Sequence, residues 1–367
     1  MRPMTTRIIA HLDMDAFFAS LEEVATPGFK DKPIAVGADP EEGRGRGVVS
    51  TANYKARAYG IHSALPISTA WRISQTEKAK GNPEVIFVTT NFEMYEKASE
   101  NVFNIIKKYS GEVEPASIDE FYFDLSFAKT FSKAEKTCKK IKAEIRKKEK
   151  VTCSIGIGPN KLVAKIAAGI NKPDGILAIL PKKVESFLDP LPIRKIPGIG
   201  PKTADIFYNG NVQTIKDLKK FSKEELIETL GKCGEDIYYK SRGVDDSLIV
   251  QDREVKSIGE QITFEQDTLQ ALFLIGEFEK IRRNVFKRFR ESGFDCFKTI
   301  TIVVRFADFE TKTSSKSFKK EIKVEDNKIF EIETLKLILP FLDQRSNPRG
   351  KLIRLIGVRI ENLEKVE

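Results

Sequence analysis

Two apolar stretches that end in carboxylates constrain this chain more than any other feature. The first, "RIIAHLDMD" (residues 7–15), has the short apolar run of a buried strand followed by two acids, Asp13 and Asp15. In an extended strand, residues i and i+2 project from the same face, so both acids are placed to meet one cation. The opposite outcome is a strand end whose acids are solvated or cap a helix beginning at Ala16. A lone pair of this kind does not separate the two. The second stretch, "VEPASIDEFYFDL" (113–125), carries Asp119 and Glu120 inside another apolar extended segment, where a charge without a compensating ion is costly. Its alternative is a hairpin turn at "IDE" with exposed acids. Two acidic strand sites in one domain suit hard divalent cations with oxygen ligands, Mg²⁺ above all, of the kind that hold a substrate's phosphates.

Histidine is scarce, with only His11 and His62 in 367 residues. Imidazole is the usual zinc ligand and general base, so most zinc sites and Ser-His-Asp hydrolysis are disfavoured, and carboxylates and lysines must carry any chemistry. Each histidine taken alone reads as a packing or surface residue. Cys138, Cys153, Cys233 and Cys296 are scattered without a CxxC pair, and no apolar signal core follows "MRPMTTR". A reduced, cytoplasmic setting is expected, and no apolar run reaches membrane-spanning length.

The length predicts two or more domains. Strands are expected at "RIIAHLDMD", "KPIAVGA" and "GVVSTAN", with helices at "AFFASLEEVA", "YKARAYG" and "PISTAWRISQTEKAKG". "EVIFVTTN" then leads into a long helix, "FEMYEKASENVFNIIKKYS", in which Tyr95, Ala98, Val102, Ile105 and Ile106 share one side. A second amphipathic helix, "FSKAEKTCKKIKAEIRKKEK", turns Ile141 and Ile145 inward. The strand "VTCSIGIG" and the helix "PNKLVAKIAAGINKPDG" close an α+β block, a sheet with helices on one face. Residues 181–243 change to short helices punctuated by Pro and Gly. "DDSLIVQDREVKSIG" reads as a polar linker, and beyond it helix and strand patterns form a second α+β domain.

A phosphate-bearing substrate needs cations. "ANYKARAYG" offers Tyr54, Lys55 and Arg57, while "NKLVAKIA" offers Lys161 and Lys165, spaced i, i+4 on one helix face. No Walker-type loop is present, and "GRGRG" reads as a flexible turn. "IPGIGPKTADIF" (196–207) is more specific. A Pro-Gly-apolar-Gly turn feeding a helix exposes backbone N–H groups to a phosphate, the helix-hairpin-helix pattern that grips nucleic acid without reading its sequence. Lysine and arginine (62) exceed aspartate and glutamate (53), giving a formal net charge of +9. "KIRRNVFKRFR", "KSFKK" and "NPRGK" supply a basic track in the second domain.

In this order the motifs resemble the Y-family translesion DNA polymerases, specifically the DinB (DNA polymerase IV) type. The blocks are "HLDMDAFFASLEE", "GVVSTANYKARAYGIHSALP", "EPASIDEFYFDL", "CSIGIGPNKLVAKIAAGINKPDG", "IPGIG", "KSIGEQITFEQD" and "RGKLIRLIGVRI", and the match runs from Ile8 to about Leu363. The resemblance implies a right-hand fold: a palm from 1–16 and 83–172, small fingers from 17–82 and a helical thumb from 173–243. A linker at 244–256 and a C-terminal little finger at 257–367 complete it.

The resemblance further implies that Asp13, Asp119, Glu120 and the carbonyl of Met14 bind two Mg²⁺ ions, with Asp15 structural. Phe18 falls at the steric gate against a ribose 2′-OH. Phe17 lies beside it among the dNTP contacts and also reads as core, while Tyr54, Arg57 and Lys165 hold the triphosphate. Gly198, Gly200 and Lys202 contact DNA. The implied activity is template-directed, low-fidelity synthesis past damaged bases by a monomer on primer-template DNA, with no proofreading segment and no membrane partner. Ala16 occupies a variable site beside the gate, so no lesion preference follows. No "QLxLxL"-like sliding-clamp tail is seen, which leaves clamp binding to a tail outside this sequence or to another surface. The alternatives are a non-catalytic DNA-binding repair scaffold, a nucleotidyl cyclase and a template-independent deoxycytidyl transferase of the same family.

Overall fold

Alternation along the first strand decides which side of its sheet carries charge. In the computed structural model, which describes residues 7–251, 254–343 and 345–365, Ala10, Leu12 and Met14 enter the main apolar core. His11 and Asp13 are thereby turned to the opposite face.

The chain forms two units, one of residues 1–44 and 48–252, the other of 45–47 and 253–367. In chain order the first contains β1 (Ile9–Met14), α1 (Phe17–Ala25), β2 (Ile34–Gly37), β3 (Val49–Ala52), α2 (Tyr54–Ala58), α3 (Ile67–Ala79) and β4 (Ile86–Thr89). There follow α4 (Phe92–Lys107), β5 (Val113–Pro115), β6 (Glu120–Asp124), α5 (Phe131–Glu149), β7 (Cys153–Gly158), α6 (Lys161–Ala168) and β8 (Ile176–Ala178). Five short helices close it: α7 (Val184–Leu188), α8 (Pro201–Tyr208), α9 (Ile215–Leu218), α10 (Lys223–Leu230) and α11 (Lys232–Ser241). The second unit contains β9 (Ser257–Thr268), α12 (Ala271–Glu291), β10 (Cys296–Phe306), β11 (Thr311–Lys323), α13 (Asn327–Leu342) and β12 (Ile353–Glu364).

The central sheet of the first unit has the order β5-β6-β1-β7-β8. Strand β1 runs antiparallel to both neighbours, and the register sets Asp13 opposite Glu120 on one side and Ser154 on the other. The same parity sends Phe121, Phe123, Cys153, Ile155 and Ile157 into the core under α4 and α5. All five α4 residues expected to face inward are buried, as are Ile141 and Ile145.

Several expectations change. Helices cover both faces of the sheet rather than one, because α6 packs on the side opposite α4 and α5. Glycine makes that approach feasible: a Cβ on Gly156 would lie 2.0 Å from the Ala164 carbonyl oxygen and 2.3 Å from the Ala168 nitrogen. "VEPASIDEFYFDL" is not one extended segment but folds back, with β5 pairing antiparallel to β6 and residues 117–119 forming the bend. Strand β8 pairs parallel with β7, so the sheet runs past residue 172, where the palm was expected to end. Strand β4 pairs with β2 in the separate three-stranded sheet β3-β2-β4, although it falls within 83–172.

The polar stretch expected to be a linker is fastened down along its first part. Asp245 accepts from the Leu162 nitrogen (2.9 Å), Glu114 accepts from the Val250 nitrogen (2.9 Å), and Ile249 packs beside Ile9 and Ala164. In the second unit, "SIGEQITFEQDT" forms β9, with Ile258, Ile262 and Phe264 alternating onto its core, where the sequence suggests a polar linker running into a helix. It completes the sheet β11-β10-β12-β9, packed on α12 and α13. Among the described residues no helix is long and apolar enough to cross a membrane.

Substituting Gly156→Ala should force α6 off the sheet. The expected result is a urea unfolding midpoint lowered by the equivalent of about 1–3 kcal/mol, with the same change at Gly276, which has open space, as the control.

Candidate active site

Asp13 and Glu120 end neighbouring strands on the same face, and both line a cleft of about 530 Å³. Lys165 of α6 and the turn at 196–200 complete its walls, so the carboxylate motif and the Pro-Gly-Ile-Gly motif meet in one place. Each carboxylate already carries a cation. The Lys165 ammonium donates to both oxygens of Glu120 at 2.6 Å, and the Lys172 ammonium donates to Asp13. Lys172 escaped the sequence reading because it sits in the irregular "NKPDG" segment, away from the periodic face of α6.

Asp119 stands apart. Its backbone oxygen accepts from the Met14 nitrogen at 3.0 Å, but its side chain accepts from the Ser117 hydroxyl at 2.6 Å. Among the described residues no three His, Cys, Asp or Glu side chains converge as a ready metal site. The chemistry of the donor set still fits a hard cation: two carboxylates share one open cleft, a third lies on the adjoining bend, and ammonium groups occupy the positions where positive charge is wanted.

Asp15 has a different role. Strand β1 stops at Met14, Ala16 takes a left-handed conformation (φ 46°), and Asp15 between them is buried. There it is 2% exposed and accepts from Thr152 and Ser154 hydroxyls and the Asp174 nitrogen, each at 2.8 Å. Ser154 is also the residue paired with Asp13, so the two acids lie on the same side of the sheet as expected, and burial with saturated hydrogen bonding is what sets Asp15 apart as scaffold.

The two cleft carboxylates titrate in opposite directions. Burial pushes Asp13 up to about 6, with Lys172 opposing. Burial also works against the charge of Glu120, but the contacts of His11 and Lys165 outweigh it and hold that carboxyl down at about 2. His11 lies behind Glu120, 1% exposed, with its Nε2 3.9 Å from Glu120 Oε2 and neither ring nitrogen hydrogen-bonded. Burial pushes its pKa down.

Of the paired aromatics, Phe17 is core and Phe18 is partly exposed. The Phe18 ring stacks on Tyr95 (centroids 4.2 Å, planes 11° apart). Tyr95 is fully buried and its hydroxyl donates to Glu22 at 2.6 Å, while Phe92 meets both rings edge-on. Tyr95 was legible only as an inward-facing residue of α4; its role in fixing Phe18 depends on a contact between distant elements.

Asn53 caps α2 through Ala56 and also accepts from the Ile34 nitrogen, which sets Tyr54 and Arg57 on β3's end. Arg57 lies 4.9 Å over the Tyr54 ring and donates to the Ala52 carbonyl. The Tyr54 hydroxyl is buried without a hydrogen-bond partner, and burial with the Asp15 charge pushes it up to about 12. Lys55 turns to Asp31 instead. In the helical module, Gly198 has φ +104°, Gly200 caps α8 and lines the cleft with Gly198, and Lys202 is exposed.

The profile of the impB/mucB/samB family matches residues 12–169, that of its C-terminal domain 255–367, and the IMS family HHH motif 181–212. A DNA polymerase IV of Methanoculleus marisnigri is 37% identical over 98% of this chain and 96% of its own length. One from Streptococcus agalactiae is 39% identical over 98% and 95%. Among solved structures, a Y-family DNA polymerase chimera of Dbh and Dpo4 superposes with a TM-score of 0.84 at 28% identity, covering 98% of this chain and all of the other. The insertion ternary complex of Dbh DNA polymerase gives 0.65 at 28% identity, with coverage of 98% and 100%.

Stability distinguishes the cleft carboxyl Asp13 from the buried scaffold Asp15. In metal-free protein a carboxyl raised to about 6 favours the folded state when protonated. Stability is therefore full below the ordinary aspartate range and declines as pH rises towards 6. Asp13→Asn should remove that decline and raise stability at pH 8 by roughly 1–3 kcal/mol, with little change at pH 4. Asp15→Ala should lower it at both pH values by about 1–3 kcal/mol for the donors left unpaired. Urea titrations in chelator at the two pH values check both.

Proposed function

The chain belongs to the impB/mucB/samB family of Y-family DNA polymerases, and from that membership we propose that the cleft of Asp13 and Glu120 is its polymerase active site. The enzyme is a DNA-directed DNA polymerase of the translesion type, and the family works with divalent metal ions. The observation that carries the site assignment is the register of β1 against β6, which presents Asp13 and Glu120 side by side in an open cleft with a lysine on each.

In this reading the primer 3′-hydroxyl displaces pyrophosphate from the α-phosphorus of a dNTP, copying a primer-template duplex. Asp13, Asp119, Glu120 and the Met14 carbonyl would hold two Mg²⁺ ions, which supply charge neutralisation at the attacking and leaving oxygens. Lys165 and Lys172, displaced from their carboxylates, turn to the triphosphate. Arg57 and the unpartnered Tyr54 hydroxyl supply further donors to it, the latter a buried group that gains its missing acceptor. Phe18, held flat on Tyr95, occupies the space of a 2′-hydroxyl. The backbone N–H groups at Gly198 and Gly200, with Lys202 on the first turn of α8, receive a DNA phosphate.

Primer extension on undamaged and abasic templates with Mg²⁺ tests the assignment. Asp119→Ala should lose about 10²–10⁴-fold in rate, the worth of several kcal/mol of charge stabilisation. Unchanged extension by this variant would remove Asp119 from the site.

Sugar selection offers a separate check. Phe18→Ala should reduce discrimination between dNTPs and rNTPs by about 10–200-fold, the range that the fit of one small group controls. If the ratio of kcat/KM values for the two sugars stays at the wild-type level, Phe18 is not the gate.

A further inference from the structure

We propose that His11 is a positioning residue for Glu120, donating from Nε2 to Glu120 Oε2 once Lys165 leaves that carboxylate. The inference rests on the reading of the Asp13 and Glu120 cleft as the active site.

Among the described residues, Glu120 is held at hydrogen-bond range by Lys165, through the two 2.6 Å contacts. Those contacts cannot persist when a divalent ion takes the carboxylate or when the ammonium turns to a nucleotide phosphate. The carboxylate then needs another donor to keep its orientation, because a ligand's geometry is fixed by what its non-ligating oxygen meets. His11 is placed for that task. The strand register sets it directly opposite Tyr122 on β6 and Gly156 on β7, and the Tyr122 ring lies 4.5 Å away at 58°. Its Nε2 is 3.9 Å from Glu120 Oε2, just beyond a hydrogen bond. A modest turn of the carboxylate closes that gap.

The imidazole also carries an unmet need. Both ring nitrogens are buried and unpartnered in the lysine-bound state. Buried polar groups in folded proteins are nearly always paired, so a group left unpaired in one state points to a partner gained in another. A side chain that served only to fill this space would lose nothing as phenylalanine.

That substitution is the test. In His11→Phe the ring volume stays and the donor goes; in His11→Gln an amide N–H is restored near Nε2. Mn²⁺ binding to the free protein, followed by electron paramagnetic resonance, and kcat and KM for dNTP in primer extension are measured together with a thermal melt. His11→Phe should melt cooperatively, bind Mn²⁺ about tenfold or more weakly and lose a similar factor in kcat, with KM little changed. His11→Gln should regain most of both. Wild-type Mn²⁺ affinity and kcat in His11→Phe overturn the proposal. So does an equal loss in Gln and Phe variants. If His11→Phe does not fold, His11→Leu is compared with His11→Gln on the same readouts. Glu120→Ala separates the two levels: full activity in that variant removes the active-site reading and the proposal with it. An inactive Glu120→Ala beside an unaffected His11→Phe removes the positioning role alone.

Discussion

Everything in the candidate site depends on the register of three antiparallel strands. Asp13 faces Glu120 and Ser154 because β1 is paired at that offset with β6 and β7. A slip of one residue would drive Asp13 into the core and bring Leu12 to the cleft. The core forbids the slip. Leu12, Phe121, Phe123, Ile155 and Ile157 are at most 1% exposed on the opposite face, so no alternative pairing buries them without burying a charge. The helices enforce it from both sides, α4 and α5 against the apolar face and α6 against Gly156 and Gly158.

That frame allows a charge arrangement that would be unfavourable by itself. Two carboxylates share a partly dry cleft, and their environments drive them apart, Asp13 up to about 6 and Glu120 down to about 2. Both are drawn towards cations, and lysines supply them. A lysine is suited to this position because its single charge sits on a long flexible stem and can be redirected without moving the backbone. The cleft is therefore balanced in the absence of ligands yet holds cationic side chains that can be reassigned to phosphates.

The sequence made the periodic parts legible. Where one face of an element is buried, alternation or a 3.6-residue repeat reports it, and the inward residues of α4 and α5 and the strand character of β1 and β7 follow directly. What stayed hidden depends on contacts between distant segments. The bend at 117–119 was open only as the alternative turn at "IDE", with no Gly or Pro to favour it, while β8 is three residues long and β9 is too polar on its exposed face to stand out. Asp15 looked equivalent to Asp13 because nothing in "DMDA" declares that Thr152, Ser154 and Asp174, far along the chain, close over it. Tyr95 and Lys172 gain their roles only when α4 meets Phe18 and when the segment after α6 returns to β1.

Helix α6 shows how one sequence pattern divides between structure and chemistry. Lys161 and Lys165, one turn apart, invited a common assignment to phosphate. They meet different carboxylates. Lys161 pairs with Glu114, which is 1% exposed and also accepts from the Val250 nitrogen, so its charge fastens the polar stretch after the helical module to β5. Lys165 pairs with Glu120, which opens on the cleft. Removing one partner of a buried pair strands the other charge, whereas a pair at a cleft can exchange partners with a ligand. Burial thus ties Lys161 to the fold and leaves Lys165 facing the cleft, and the same helix, pressed on Gly156, carries both.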